Sequence, residues 1–470
     1  MATQGHHLDR LTAVDASFLT NESSNSHMHV GAILIFEGPP PKYVDLVEHV
    51  RGRLGQVPRF RQRLVVPPLE AGRPLWADDV NFNLTYHIRH TALPEPGGEQ
   101  QLKRLAARVF SQQLDRSKPL WELWLVQGLE QDRFALLTKT HHAMVDGISG
   151  VDIGTVLFDL EPVPEPASSE DGWVPAPEPS TAHLVARGAV DAAAAPVKLV
   201  ERAVELARHP EAAAKRIGEA LEGLGEVVGA FADPAPDVPL NQPIGPHRRF
   251  TWARSELATF KRIKDSLGGT VNDVVLAVVT GALRDWLHGR GIRTEGLELR
   301  ALVPVSIRSE DERGNLGNRI AAMRGPLPVY VEDPVRRLRV VSEEMEGLKR
   351  SKQALGAEVI ARFNDFAPPT LLAQASRVNF STRLFNLIVT NVPGPQLPLY
   401  VLGRELQEVF PVAFLPENHT MAVAIMSYNG RLGFGLLADY DSMKDVEDFA
   451  AGLNRSLEEL EEAAAAAAPA

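Results

Sequence analysis

Between residues 161 and 180 the chain reads EPVPEPASSEDGWVPAPEPS, too rich in proline, glutamate and serine to bury the apolar surface a core needs. An Ala-rich run follows at 181–231, helical by propensity and interrupted by Pro196 and Pro210. A second proline-rich stretch, ADPAPDVPLNQPIGPHRRF, closes it. This break divides the chain into two halves. Its 470 residues also exceed one ordinary core. The expected organisation is an N-terminal unit over 1–165, a partly helical linker over 166–245 and a C-terminal unit over 246–470.

Both halves mix strand-like and helix-like stretches, which predicts an α/β (α+β) fold. MHVGAILIFEG (28–38) reads as a strand stopped by Gly-Pro-Pro. YVDLVEHVRGRL (43–54) and QLKRLAARVFSQQLD (101–115) have the 3.6-residue spacing of amphipathic helices. WELWLVQGL (121–129) and RFALLTKTHH (133–142) are strands joined by the polar turn EQD, antiparallel if that turn closes a hairpin. In the second half, TVNDVVLAVVTGALRDWLHG (270–289) opens like a helix, with Thr270 or Asn272 as cap and Asp273 in the first turn. LELRALVPVSIR (297–308) and LFNLIVTNVPGP (384–395) read as strands. TMAVAIMSYNGRLGFGLLAD (420–439) reads as a hairpin about Asn429-Gly430.

A net charge of −11 argues against nucleic acid as the main partner. The absence of cysteine excludes disulfides, thiolate metal sites and cysteine nucleophiles, and it fits a reducing compartment. MATQGHHLDRLTAVD carries no apolar signal region. The most apolar window, VVLAVVTGAL (274–283), is about half the length a bilayer requires. The expectation is a soluble, cytoplasmic protein, with contact at an inner membrane face or lipid droplet left open.

The chemistry concentrates in TKTHHAMVDGISG (138–150). Adjacent residues at a strand end point to opposite faces, so His141 and His142 cannot easily converge on one metal. One working imidazole beside a supporting one is the better reading. A ring that titrates near neutrality accepts a proton in one step and returns it in the next. Gly147 supplies freedom for a tight turn, and Asp146 can orient that turn through backbone N–H groups or an arginine. The other histidine pair, GHHLDR, has no Asp-Gly at the same offset. His-His-x3-Asp-Gly arises by accident on the order of once per thousand chains of this length.

HHAMVDG resembles the HHxxxDG motif of the CoA-dependent acyltransferase superfamily. LDRLTAVDASFLTNESSNSHMHVGAILIFEG, SKPLWELWLVQGL, TVNDVVLAVVTGALR, ALVPVSIRSEDERGNLGNRI, TNVPGP and MSYNGRLGFGLLAD are similar, in that order, to blocks of the bacterial wax ester synthase/diacylglycerol acyltransferase family. The resemblance implies two chloramphenicol-acetyltransferase-like domains, each a mixed sheet covered by helices, with the site in a tunnel between them. It implies transfer of a long-chain acyl group from acyl-CoA to diacylglycerol or a fatty alcohol, with acyl-CoA a substrate and no cofactor. His142 would be the general base, with His141 and Asp146 structural and Arg308 the partner of Asp146. The Asn272-Asp273 pair would be needed for the site. Asn272 and Asn391 are candidate oxyanion donors, with a helix cap and a turn as their alternative roles. Pro119, Leu120 and Trp121 would shape the acyl channel or the fold, core packing being the simpler role for Trp121.

Two rival readings share the motif: a condensation-type acyltransferase using a carrier-protein thioester, and a non-catalytic lipid-binding relative. For 181–231 the alternatives are packed bridging helices, a membrane contact and a lid. Balanced charge, with Phe231 the only aromatic, weakens the membrane reading.

Overall fold

The structure, a computed structural model, describes residues 8–68, 73–144, 154, 157–163, 172–182, 184, 186, 233–306, 320–350 and 380–467. The N-terminal half contains β1 (Leu8–Arg10), α1 (Ala13–Asn21), β2 (His29–Phe36), α2 (Tyr43–Arg51), β3 (Gln62–Val65) and β4 (Leu75–Asp78). It continues through α3 (Leu84–His87), β5 (Ile88–Ala92), α4 (Glu99–Phe110), β6 (Trp121–Gln127) and β7 (Phe134–His141). The second half holds β8 (Arg248–Glu256), α5 (Leu257–Leu267), α6 (Val271–Gly289), β9 (Leu299–Ser306), β10 (Ile320–Leu327) and α7 (Pro334–Arg350). Then come β11 (Leu387–Pro393), β12 (Tyr400–Val401), β13 (Arg404–Val412), β14 (Met421–Tyr428), β15 (Arg431–Asp439) and α8 (Val446–Ala467).

Two six-stranded mixed sheets dominate, with orders β12-β13-β2-β7-β6-β5 and β10-β9-β11-β14-β15-β8; a small sheet, β1-β4-β3, lies apart. The expected hairpins are present. β6 and β7 pair antiparallel, as do β14 and β15, whose turn places Asn429 and Gly430 at φ 42° and 80°. Thr270 rather than Asn272 caps α6, in a capping box with Asp273.

The expected C-terminal unit over 246–470 is not self-contained. β13 leaves it and pairs antiparallel with β2 from Leu406↔Phe36 to Val412↔Gly31, with an irregularity between Leu406 and Glu408. β13 also crosses β15, where two glycines permit the approach. A Cβ at Gly433 would fall 1.9 Å from the Val409 carbonyl oxygen, and one at Gly435 would fall 1.8 Å from that of Pro411.

Strand periodicity explains the layering. On β2, Leu34 and Phe36 join the N-terminal core with Leu46, Val50 and Trp121, whereas Ile33 and Ile35 enter a core shared by the two sheets. Phe410 and Val412 from β13, Trp252 from β8 and Ala422 and Ala424 from β14 occupy that shared layer. On β14, Met421, Val423 and Ile425 face the other way, against Val278 and Val279 of α6 and Phe449 of α8. Strands buried on both faces read as nearly unbroken apolar runs, as these do.

Among the described residues no single helix is long and apolar enough to cross a membrane. α5 and α6 would suffice only together, and they are bent 99° apart. Val274–Leu283 of α6 is buried in the C-terminal core. Residues 187–232, most of the Ala-rich stretch read as helical, lie outside the described residues.

Gly435→Ala drives a methyl group into a strand backbone that cannot withdraw without separating the sheets. It should lower the unfolding free energy by about 1–3 kcal/mol, read as a lower urea midpoint. Gly347→Ala, in an exposed part of α7 with open space around it, should instead raise stability by about 0.5–1 kcal/mol.

Candidate active site

β7 runs from the core to the chemistry along one face. Ala135 and Leu137 lie in the shared apolar layer, and the two-residue period places Lys139 and His141 on that same side. Lys139 is fully buried, and its Nζ donates to the Val109 carbonyl at 2.9 Å and to that of Gln112, at the C-terminal end of α4. Burial pushes its ammonium down to about 8. His141 ends the strand directly opposite His29 of β2. A short 3-10 turn, His142–Met144, begins at the next residue.

The strand and turn backbones are held from both sides. The His141 N–H donates to the Leu120 carbonyl at 2.9 Å, and the His142 N–H to the Met28 carbonyl at 2.8 Å. The His141 Nδ1 accepts the Ala143 N–H at 3.1 Å, a contact compatible with a neutral ring only in the tautomer that carries its proton on Nε2. That Nε2 faces Glu22 Oε2 at 3.6 Å, and the His29 Nε2 lies 3.4 Å from Glu22 Oε1. The Glu22 side chain is 1% exposed, and Arg116 reaches it from the surface, Nε donating to Oε2 at 2.8 Å. Burial raises this carboxyl, but contacts with His141 and His29 outweigh burial and hold it far below the usual carboxylate range.

The His142 ring diverges from His141, as expected of neighbours at a strand end. It stacks on Phe18 of α1, centroids 4.0 Å apart and planes at 25°, and meets the edge of Phe414 at 5.5 Å. Phe380 completes the aromatic group, 6.3 Å from Phe18 and 5.7 Å from Phe414. This apolar setting pushes the imidazole down to about 4, with His141 adding a smaller effect in the same direction. The ring is therefore neutral near pH 7. A bond steadying its second nitrogen would be the usual support for such a ring. Here Nδ1 has no hydrogen-bond partner among the described residues, and ring stacking sets the orientation instead.

The other candidates separate. Asn391 on β11 donates through Nδ2 to Asn272 Oδ1 at 3.3 Å, so the two asparagines meet. With Thr270 as cap, Asn272 is released from that role. Asp273 is buried, its Oδ2 accepting the Thr270 N–H at 2.8 Å and the Ser342 hydroxyl at 3.3 Å. Pro119, Leu120 and Trp121 are all buried. The Trp121 Nε1 donates to the Phe60 carbonyl at 2.8 Å and its ring stacks on His87 at 4.6 Å, which is core packing. Asp146, Gly147 and Arg308 lie outside the described residues.

Sequence reasoning missed Glu22, His29, Phe18 and Phe414. None sits within twelve residues of the histidine pair, and only the strand register and the seat of α1 bring them there. Among the described residues no three acidic or histidine side chains are placed to hold a metal ion.

Comparison with known proteins gives consistent matches. A model of the wax ester synthase/diacylglycerol acyltransferase catalytic domain matches residues 11–275, and one of the WS/DGAT C-terminal domain matches 316–461. The chain is 34% identical over 457 residues, 96% of both chains, to a probable diacylglycerol O-acyltransferase, tgs1, of Mycobacterium tuberculosis. Among solved structures it is similar to the wax ester synthase/diacylglycerol acyltransferase from Marinobacter aquaeolei VT8, at 27% identity and TM-score 0.67, covering 97% of this chain and 100% of that one. A condensation domain of the calcium-dependent antibiotic synthetase shares the fold at 16% identity and TM-score 0.58, with 98% and 97% covered.

His27, His29, His49, His87, His142 and His419 are all held below their ordinary value, in each case chiefly by burial. Below pH ~6.5 the unfolded chain takes up protons that these buried rings refuse, down to about 4 for His87, His142 and His419. Their contribution to stability is complete above pH ~6.5 and lost as pH falls through that window. The thermal midpoint should therefore drop steeply between pH 7 and pH 5, and a midpoint constant over that range would contradict the assignment of neutral rings.

Proposed function

Because the chain belongs to the wax ester synthase/diacylglycerol acyltransferase family, we propose that it transfers a long-chain acyl group from acyl-CoA to diacylglycerol, with His142 as general base. The observation that carries the reading is the neutral ring of His142, stacked on Phe18 at the start of the turn after β7. The 34% identity to a protein named as a diacylglycerol O-acyltransferase supports diacylglycerol as acceptor. Similarity to a solved wax ester synthase/diacylglycerol acyltransferase supports a fatty alcohol as second acceptor.

The acceptor O–H gives its proton to the neutral imidazole as its oxygen attacks the thioester carbonyl. The tetrahedral intermediate then collapses, the C–S bond breaks, and the imidazolium returns the proton to the departing CoA sulfur. No acyl-enzyme is formed, in keeping with a chain that has no cysteine. The developing oxyanion needs a donor. Asn272 is the one we assign, since its carbonyl oxygen is engaged by Asn391 while its amide nitrogen makes no hydrogen bond among the described residues. The supporting roles of Asp146 and Gly147, and the pairing of Asp146 with Arg308, rest on the motif. The poor water solubility of both acceptors supports action at a lipid surface, an inner membrane face or a droplet.

Purified protein given labelled palmitoyl-CoA with dipalmitoylglycerol or hexadecanol tests the reading directly, products being separated by polarity. His142→Ala should lower kcat by about 10²–10⁴-fold while acyl-CoA binding persists; unchanged turnover would remove the base assignment. Initial rates of the wild-type protein should be flat from pH 6 to 8. They should fall on the acid side as the ring protonates, toward a pKa of about 4.

A further inference from the structure

We propose that Glu22 is a positioning residue for acyl transfer: its buried carboxylate orients His141 and, through His141, the amide of Ala143, so the turn presenting His142 has one geometry. The inference rests on the reading of His142 as base, and it concerns a residue well outside the motif.

The geometry forms a continuous line. Glu22 Oε2 faces the His141 Nε2, and the opposite nitrogen of that ring accepts the N–H of Ala143, the residue directly after His142. An imidazole spanning a carboxylate and an amide donor has only one compatible neutral tautomer, with the proton on Nε2. The carboxylate selects that tautomer. The selected tautomer in turn leaves a lone pair for the Ala143 amide.

A second line runs through α1. Glu22 is the C-cap of this helix, and Phe18, one turn earlier, is the residue stacked on His142. Arg116 fastens the same end, donating from Nη2 to the Leu19 carbonyl at 2.8 Å and from Nε to Glu22. Fixing the carboxylate thus fixes both the turn that carries His142 and the ring beneath it. A small displacement of a catalytic group from its productive geometry is costly to rate, by about 100-fold for 1 Å.

The charged and titratable groups around Glu22 come from every neighbouring element. His27 lies just before β2, and His29 is on β2 with its ring 5.3 Å from that of His27. Lys139 and His141 are on β7, and Arg116 follows α4. Lys139 is engaged by two helix-end carbonyls, leaving Arg116 as the permanent cation bonded to the carboxylate. Arg116 is 43% exposed, so the permanent positive charge at Glu22 is carried by a partly solvated guanidinium.

The test uses the full chain, palmitoyl-CoA and dipalmitoylglycerol, and compares Glu22→Gln, His141→Ala, the double variant and His142→Ala. Glu22→Gln keeps the volume and removes the charge. It should lower kcat by about 10–100-fold with KM for palmitoyl-CoA unchanged. The double variant should lose less than the product of the two single losses, because part of the effect of Glu22 runs through His141. Wild-type kcat in Glu22→Gln, or losses that multiply in the double variant, would overturn the inference while an inactive His142→Ala leaves the base reading standing. Full turnover by His142→Ala would remove both. Should Glu22→Gln not fold, imidazole ¹⁵N spectra of the wild-type chain decide, with His141 assigned by its loss in His141→Ala. A proton on Nε2 is expected, and one on Nδ1 would refute the proposal.

Discussion

The antiparallel pairing of β13 with β2 is the constraint on which the rest of the molecule depends. A strand from beyond residue 400 completes the sheet begun at residue 29, so neither half can close its own layers. The crossing also brings Phe410 and Val412 into the layer between the sheets, beside Ile33 and Ile35 of β2 and Trp252 of β8. Apolar burial in that layer, at roughly 25 cal/mol per Å², therefore belongs to both halves. The glycines of β15 are part of the same constraint, since backbone meets backbone where the sheets cross.

The site sits where this layer runs out. Along β7 one face passes from Ala135 and Leu137 to Lys139 and His141, from hydrocarbon to ionisable groups, within a single strand. Ionisable groups at the margin of a core are shifted by desolvation unless a partner compensates. The two environments next to each other show both cases. Glu22 keeps its charge because imidazoles and a guanidinium surround it. His142 loses its charge because its neighbours are phenyl rings. A neutral imidazole keeps a lone pair with which to accept a proton, and lowered acid stability is the physical consequence of its burial.

Much of the framework was legible in the chain. Asn429-Gly430 specifies a tight hairpin because both residues tolerate positive φ. The apolar spacing of 270–289 specifies a helix. Both Thr270 and Asn272 are cap types, and Thr270 holds the position because its hydroxyl pairs reciprocally with Asp273. Core packing is the simpler sequence reading of Trp121, and a hydrogen bond to Phe60 with a ring stacked on His87 places it in the core. β13 was not legible. RELQEVFPV has no local turn announcing its partner, and its ladder joins residues more than 360 positions apart.

The sequence by itself determined the element types, the two-part α/β organisation and the histidine pair, because each is written in local periodicity, turn chemistry or adjacent residues. Only the tertiary structure decided which strands share a sheet, that Glu22 stands between His29 and His141, and that Phe18 lies beneath His142. Those contacts join segments tens to hundreds of residues apart. They are selected by the register of β2 on β7 and the seat of α1, which no local pattern encodes.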